Sequence, residues 1–222
     1  MTNQSRYTSV DIASTKEKLL LTALTVFAER GIDAVSIRAL TKMAGAGNTS
    51  AVYYHFDSKQ GLIETLINFI QDKFDEVREP MLSEIELDPA LGPKDLRRFL
   101  FSVAKPYVHI LEREQWGECA IRFLARIEYE DHPEASKILS ARSKPAANRM
   151  FSILKTCTQG IPDRRLRMRF NFFINTIIQG LANARHLKTS YLGDLSTKSS
   201  ERLARFYVDC GEQVILAPKN KC

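Results

Sequence analysis

The residues best suited to chemistry in this 222-residue chain lie close together, between positions 36 and 59. Arg38 can donate two parallel hydrogen bonds to guanine O6 and N7, and small, polar or aromatic side chains follow it. Side chains of these kinds suit base edges, thymine methyl groups and phosphates. The full set is Ser36, Arg38, Asn48, Thr49, Ser50, Ala51, Tyr53, Tyr54, His55 and Lys59. Together these residues predict a surface that binds duplex DNA.

Three short helices would position this surface. Apolar residues at helical spacing follow Ser14 and stop at Gly31, and Ser36 can cap a second helix. The run Gly45-Ala46-Gly47-Asn48 predicts a turn before a third helix, which Thr49 or Ser50 would cap. Such a helix-turn-helix unit presents the N-terminus of its last helix to the major groove. Helix N-termini also favour phosphate, which suits the positions of Ser36 and Lys59.

Other interpretations stay open for several of these residues. Tyr53 and Tyr54 can pack against the first helix, and the capping role alone explains Ser36. Three basic side chains can be ordinary surface groups: Arg38, His55 and Lys59.

The rest of the chain repeats apolar residues at three- and four-residue spacing, which predicts an all-α fold. Ser58 would cap a fourth helix that runs towards Pro80, with a loop over residues 81–93. Further helices are predicted at about 94–113, 115–129, 133–158, 163–190 and 197–216. We expect a DNA-binding domain over residues 12–60 and a larger helical domain over residues 61–217, with the fourth helix as the connector.

Composition excludes several classes of protein. The chain has no run of 18 uncharged apolar residues and no apolar segment near its N-terminus, so we expect a cytoplasmic protein with no membrane partner. The four cysteines form no CxxC pair and the four histidines no HExxH pattern, so neither a metal nor a cofactor is predicted. Nucleophile–base clusters and glycine-rich phosphate loops are also missing, which argues against an enzyme.

The net charge of +6 is unevenly distributed. Residues 72–95 carry a net charge of −5, whereas residues 142–188 carry +9. The basic stretch can be a solvated surface, bind an anionic effector such as a carboxylate or CoA ester, bind an acidic partner, or meet the acidic stretch. A helical protein that binds a protein or lipid partner through its basic surface is the alternative to a DNA-binding regulator.

The segment FAERGIDAVSIRALTKMAGAGNTSAVYYHFDSKQGLI resembles the DNA-binding part of tetracycline-repressor-type (TetR/AcrR) transcriptional regulators. The shared marks are ERG at the end of the first helix, Ser-Ile-Arg at the start of the second, the Ala-Gly turn, and YYHF followed by SK. The resemblance covers about residues 12–70 and implies a homodimeric repressor of a palindromic operator, with a small-molecule pocket. It implies base contacts by Arg38, Thr49, Ser50 and Tyr53, and phosphate contacts by Ser36, His55 and Lys59. Val52 and Phe56 would be core residues.

Apolar residues of the second domain give candidates for a pocket and for a dimer interface. Pro106 and Pro145 fall within helical patterns. Each proline can kink its helix and so leave room for a cavity, or it can simply break the helix. The pocket for a small, largely apolar effector is predicted at Phe99, Val103, Tyr107, Trp116, Phe123, Phe151 and Phe173. The apolar faces of the last two long helices predict an interface, or else a monomer core, at Phe170, Ile174, Ile177, Leu181, Leu203, Phe206, Tyr207, Cys210 and Val214.

Overall fold

The protein folds into nine α-helices within the part of the chain that the structure describes, residues 15–46, 48–130, 132–197 and 199–218. In this computed structural model they are α1 (Thr15–Arg30), α2 (Ile37–Met43), α3 (Ser50–Phe56), α4 (Lys59–Glu86), α5 (Leu96–Arg113), α6 (Gly117–Tyr129), α7 (Pro133–Cys157), α8 (Asp163–Ala182) and α9 (Ser200–Leu216). The all-α prediction is confirmed. Residues 12–14, at the predicted start of the first domain, and Gly47, in the predicted turn, lie outside the described residues.

The first three helices enclose a small core. Leu24 and Phe27 on α1 are buried together with Leu40 on α2 and Val52 and Phe56 on α3. The core status predicted for Val52 and Phe56 is therefore confirmed. Because the inward faces are filled by apolar side chains, the polar residues between them are left on the outer surface.

Helix α4 leaves this unit at an angle fixed by a close backbone approach. A Cβ atom at Gly61, in the first turn of α4, would overlap the carbonyl of Phe56 at the end of α3. Only glycine allows α3 and α4 to pack at this distance.

The prediction that α4 ends near Pro80 is wrong, because the helix continues through the proline to Glu86. Proline removes one backbone donor and disturbs one turn, but it does not prevent a helix that tertiary packing supports. Leu82 and Ile85, beyond the proline, are buried in the core. The loop predicted from residue 81 therefore begins only after Glu86.

The remaining helices form a bundle with α5 at its centre. Helix α5 packs against α4, α6, α7, α8 and α9, and α8 also packs against α9. Pro106 and Pro145 lie inside α5 and α7. Helix α8 ends at Ala182, earlier than the predicted limit of 190, and a 3₁₀ turn at Ala184–Thr189 follows. Across the described ranges, no helix combines the length and apolar character needed to cross a bilayer.

Ion pairs join the acidic side of α4 to the basic side of α7. Arg142 donates to Asp72 and to Asp75, at 2.7 Å each. Arg149 pairs with Glu79 and donates to Glu86 at 2.8 Å. Two arginines of the basic stretch are thus paired with the acidic stretch, which was one of the open interpretations.

Candidate nucleic-acid interface and effector cavity

The N-terminus of α2 lies on the exposed side of the three-helix unit. Ser36 has extended backbone angles and its Oγ accepts a hydrogen bond from the Ala39 N–H at 3.2 Å, so the predicted cap is confirmed. Arg38 is exposed within the first turn. It lines a shallow depression with Lys42, Asn48 and Thr49, so its guanidinium lies where α2 meets the turn.

The turn before α3 is closed by Asn48 and not by the residues predicted to cap it. Thr49 occupies the cap position without a side-chain hydrogen bond to the helix. The Asn48 Oδ1 instead accepts from the Ser50 N–H at 3.1 Å. This bond uses the oxygen of the Asn48 side chain, and its amide nitrogen remains the end that can reach a base.

Helix α3 turns its aromatic residues outward. Tyr54 is 84% exposed and Tyr53 is 53% exposed, whereas His55 is half-buried beside Tyr54 with ring centroids 4.9 Å apart. The interpretation that Tyr54 packs against α1 is therefore wrong. Ala51 is half-buried and leaves room for close approach at the start of the helix.

Lys59 begins α4, and the Ser58 Oγ caps that helix by accepting from the Gly61 N–H at 3.0 Å. The Lys59 Nζ donates to the Ile32 carbonyl at 2.6 Å and lies 5.9 Å from the centre of the Phe27 ring. This ammonium thus fastens the loop after α1 to the start of α4. A phosphate contact by Lys59 stays a prediction, and it would use the donors that Ile32 leaves free.

The predicted interface residues on α8 and α9 differ in burial. Four are core residues of the single chain, since their side chains are almost fully buried: Phe170, Ile177, Leu181 and Leu203. Ile174 lines a cavity and Tyr207 and Val214 are half-buried, whereas Phe206, at 60% exposure, and Cys210 lie on the surface. The prediction is therefore wrong for the four core residues, because one apolar stripe per helix fills the monomer interior.

Two exposed apolar residues were missed on α8. Met168 is 60% exposed and Phe172 is 57% exposed, one turn apart on the helix. In the sequence, the four-residue spacing of Met168 and Phe172, offset from the core residue Phe170, indicates a second apolar face on this helix. Phe206 and Cys210 are exposed on α9, which packs against α8, and these four residues are hereafter called the α8–α9 patch.

A cavity of about 310 Å³ lies between α4, α5, α6, α7 and α8, near the lower limit for ligand pockets, and it opens to solvent at the exposed residues Glu128, Ser140 and Asn171. Its apolar wall includes Leu124, Leu139, Met150 and Ile178. Its polar lining consists of Gln71, Arg78, Tyr107, Glu128, Ser136, Ser140, Ser143 and Asn171.

Of the seven predicted pocket residues, Tyr107 lines this cavity and the other six do not. They pack with core neighbours instead, because large apolar side chains fill space. Phe99 lies against Phe170 and Phe123 against Phe27, with ring centroids 5.9 and 6.3 Å apart. The remaining four, also outside the cavity lining, are Val103, Trp116, Phe151 and Phe173.

Two buried polar side chains of α4 line the cavity with unused hydrogen-bonding groups. Gln71 is 5% exposed and Arg78 is 6% exposed. Among the described residues, the Gln71 Oε1 and the Arg78 Nε have no hydrogen-bond partner. A buried polar atom without a partner costs free energy, so these two residues are the ones a ligand could satisfy.

The charges around the cavity are nearly balanced. Arg78 pairs with Asp75, which also accepts from Arg142. Burial tends to raise the pKa of Asp75, but hydrogen bonds from the two arginines hold it below its ordinary value. Burial also raises the pKa of Tyr107 to about 12 and raises that of Glu128, which lies at the rim.

Helix α6 connects the cavity to the three-helix unit. Leu124, Ile127 and Glu128 line the cavity. Arg126, on the same helix, donates from Nε to the Ala28 carbonyl at 2.8 Å and from Nη2 to the Glu29 carbonyl at 2.9 Å. These carbonyls belong to the last turn of α1, where a cation is favoured. Helix α6 thus links the cavity lining to the C-terminal turn of α1 through Arg126.

Two other arginines of the basic stretch are also engaged within the chain. Arg169 donates to the Ile215 and Ala217 carbonyls at 2.6 and 2.7 Å. The Arg167 guanidinium lies 3.8 Å from the centre of the Phe151 ring. Within the described residues, no group of three or more His, Cys, Asp and Glu is arranged to hold a metal ion.

The geometry defines a class of protein: a helix-turn-helix unit with outward-facing polar and aromatic residues, joined to a helical bundle that contains a cavity. Family comparison agrees with this class. Residues 19–66 match the model of the bacterial regulatory proteins of the tetR family, and residues 102–209 match the tetracyclin repressor-like C-terminal domain. The chain belongs to the tetR family of bacterial regulatory proteins, and the resemblance to this family is confirmed.

Individual relatives match over only part of the chain. The chain is 36% identical over 72 residues to the HTH-type transcriptional repressor KstR2 of Rhodococcus jostii, which is 32% of this chain and 35% of that protein. It is 26% identical over 84 residues to the HTH-type transcriptional regulator TtgR of Pseudomonas putida, 38% of this chain and 40% of that protein. The matched segments thus span well under half the length of these relatives.

Solved structures are similar over almost the whole chain. KstR2 of Mycobacterium tuberculosis matches with a TM-score of 0.59 at 17% identity, over 90% of this chain and 94% of that one. FadR of Bacillus subtilis, in complex with stearoyl-CoA, matches with a TM-score of 0.59 at 16% identity, over 91% of this chain and 98% of that one. At these identities the similarity shows a shared fold.

Proposed function

We propose that this chain is a homodimeric DNA-binding repressor whose operator affinity is controlled by a small molecule in the bundle. The observation that carries the proposal is the surface of α2 and α3. Its polar and aromatic residues are exposed while Val52 and Phe56 hold the helix against a buried core. An α-helix presented in this way fits the major groove of B-form DNA.

Individual roles follow from position. Arg38, Thr49, Ser50 and Tyr53 would contact bases, since they lie on or beside the open ends of α2 and α3. Ser36, His55 and Lys59 would contact phosphates, with Asn48, Ala51 and Tyr54 completing the surface. Residues 12–60 would form the DNA-binding domain and residues 61–217 the effector and dimerisation domain, with α4 shared between them.

Dimerisation would use the α8–α9 patch. A single recognition helix makes few base contacts, whereas two helices related by a two-fold axis read a palindrome. Tyr207 and Val214, half-buried beside the patch, would be covered with it. Four apolar side chains exposed on two adjacent helices favour a self-complementary contact.

The effector would occupy the 310 Å³ cavity. Its walls include α4 and α6, and both helices reach the three-helix unit, α4 through the Gly61 contact and α6 through Arg126. Ligand binding would shift the population between two dimer states with different separation of the recognition helices. Two observations favour repression with control by a ligand: the relative KstR2 is a transcriptional repressor, and the similarly folded FadR holds stearoyl-CoA. Such a regulator would act in the cytoplasm, where its operator lies.

A selection of genomic DNA fragments by the purified full-length protein, at two salt concentrations, tests this proposal. We expect enrichment of a palindrome whose half-sites lie about one helical turn of DNA apart, at about 34–36 Å. Raising the salt should weaken binding to all fragments but preserve the preference, because phosphate contacts depend on counterion release. Recovery of fragments without any shared sequence would contradict the proposal.

A further inference from the structure

The polar groups of the cavity indicate which chemical class of effector it accepts, an inference that rests on the proposed function. Gln71 and Arg78 lie two helical turns apart on α4, which separates their backbones by about 10 Å along the helix axis. Both line the cavity and both are more than nine-tenths buried. A ligand that meets both must therefore carry two polar groups on one body.

The unused hydrogen-bonding atoms of Gln71 and Arg78 are one acceptor and one donor. The Gln71 Oε1 accepts hydrogen bonds and has no partner among the described residues, and the Arg78 Nε donates and has none either. The partner of Gln71 must accordingly donate, as a hydroxyl does. The partner of Arg78 must accept, as a hydroxyl, carbonyl or ester oxygen does.

The charges at the Arg78 end of the cavity oppose an ionised ligand group there. The only cation of the lining within the described residues, Arg78, is already paired with Asp75. Glu128 adds a negative charge at the rim. A carboxylate would meet this repulsion without an unpaired cation to offset it, and an ammonium group near Arg78 would be repelled by the guanidinium.

The other side of the cavity is apolar. Leu124, Leu139, Met150, Ile174 and Ile178 line it. We therefore infer that the cavity binds an uncharged, largely apolar molecule that carries two oxygen functions, of which a hydroxyl donates to Gln71 and a second oxygen accepts from Arg78. Among the described residues, no arginine of residues 142–188 lines the cavity, and two of them, Arg142 and Arg149, are bound to α4.

Three matched series of probes test this inference by calorimetric titration of the full-length protein without DNA. The first series is 1,8-octanediol, 1,10-decanediol and 1,12-dodecanediol, and the others are the monocarboxylates and the monoamines of the same chain lengths. We expect at least one diol to bind more tightly than the carboxylate and the amine of its length. Tighter binding of either charged series, or no binding of any diol, overturns the inference.

Gln71→Leu, with Gln60→Leu as its matched control, tests the contact itself. Gln60 is exposed on the same helix and lies outside the cavity lining. Gln71→Leu removes the acceptor and keeps the volume, so diol affinity should fall about 5- to 10-fold without a loss of thermal stability. Unchanged diol affinity in Gln71→Leu, or an equal loss in Gln60→Leu, overturns the contact. Failure of the DNA selection would refute the proposed function but leave these titrations unaffected, so the two failures are distinguishable.

Discussion

Arg38 is the residue whose chemistry most directly ties the sequence to base recognition. It is exposed near the N-terminus of α2, beside the depression that contains Lys42 and Asn48. An exposed arginine at this place adds little to the stability of the fold, because it packs against no core residue. Its contribution should therefore show in DNA binding.

Arg38→Ala should weaken binding to the selected operator by about 1–3 kcal/mol and relax the preference at one base pair of each half-site, because a bidentate contact to guanine is lost. Fluorescence anisotropy against operator variants measures both effects. Arg164→Ala, which removes an exposed arginine from α8, is the control and should leave both unchanged. Equal effects of the two substitutions would mean that Arg38 contributes only net charge.

Ser36 combines a structural and a functional role that one pair of substitutions separates. Ser36→Ala removes the cap and should cost about 1 kcal/mol of unfolding free energy. Ser36→Asp keeps a capping oxygen, so stability should be retained while the added negative charge repels the phosphate and lowers operator affinity. Urea unfolding and anisotropy measure the two quantities. Full operator affinity in Ser36→Asp would place the phosphate elsewhere.

At the scale of the helices, capping serines and helix-ending glycines in the sequence correctly predicted several helix boundaries. Ser36 and Ser58 cap the helices that follow them, and Gly31, with a φ of +84°, ends α1. These devices act within a few residues, so the sequence shows them directly. Pro80 was misread for the opposite reason, since burial of Leu82 and Ile85 depends on helices distant in the chain.

A search of the sequence for large apolar residues could not locate the cavity between α4, α5, α6, α7 and α8. Helix α7 lines the cavity with Leu139 and Met150 and with four small residues at spacings of three and four, Ser136, Ser140, Ser143 and Ala147. Space remains where side chains are small, whereas Phe99 and Phe123 fill theirs. The polar lining residue Gln71 carries no sequence pattern of its own, because its burial is a tertiary property.

The ion pairs between α4 and α7 make a prediction about pH. The pKa of Asp75 is lowered in the folded protein, so its pairing stabilises the fold fully above the unfolded pKa of about 4 and loses this contribution as the pH falls below it. Asp75→Asn should reduce the unfolding free energy at neutral pH by about 1–3 kcal/mol. The difference in unfolding free energy between Asp75→Asn and the wild-type protein should shrink as the pH is lowered from 5 to 3, because the Asp75 carboxylate becomes protonated.

Urea unfolding followed by circular dichroism at each pH measures this difference. Glu64→Gln, a change of an exposed carboxylate on the same helix, is the control and should show little effect at any pH. A constant difference between Asp75→Asn and the wild-type protein across this range would show that Asp75 does not stabilise the fold through its charge.

At the scale of the whole molecule, the sequence could not separate the interface from the interior. Periodicity marks apolar faces, and α8 carries two of them, one around Phe170 that is buried in the chain and one at Met168 and Phe172 that is exposed. Both satisfy helical spacing equally well. Only packing of the complete bundle shows which face remains for a partner.

Phe172→Glu and Phe206→Glu should each convert the dimer to monomers, because a carboxylate in the centre of the α8–α9 patch would be buried without a partner. Sedimentation velocity measures the mass, and circular dichroism should show an unchanged helical content. Leu87→Glu, at another exposed apolar residue, should remain dimeric. Dimers of undiminished stability in both patch variants would place the interface on another face.

The most direct test of the central account, a dimer whose two recognition helices read one palindrome, is the mass and affinity of the complex with the selected duplex. We expect two chains on each duplex. A duplex that keeps only one half-site should bind at least about 100-fold more weakly, since each lost base contact costs about 1–3 kcal/mol. A complex of one chain per duplex, with equal affinity for the half-site and the full site, would contradict the account.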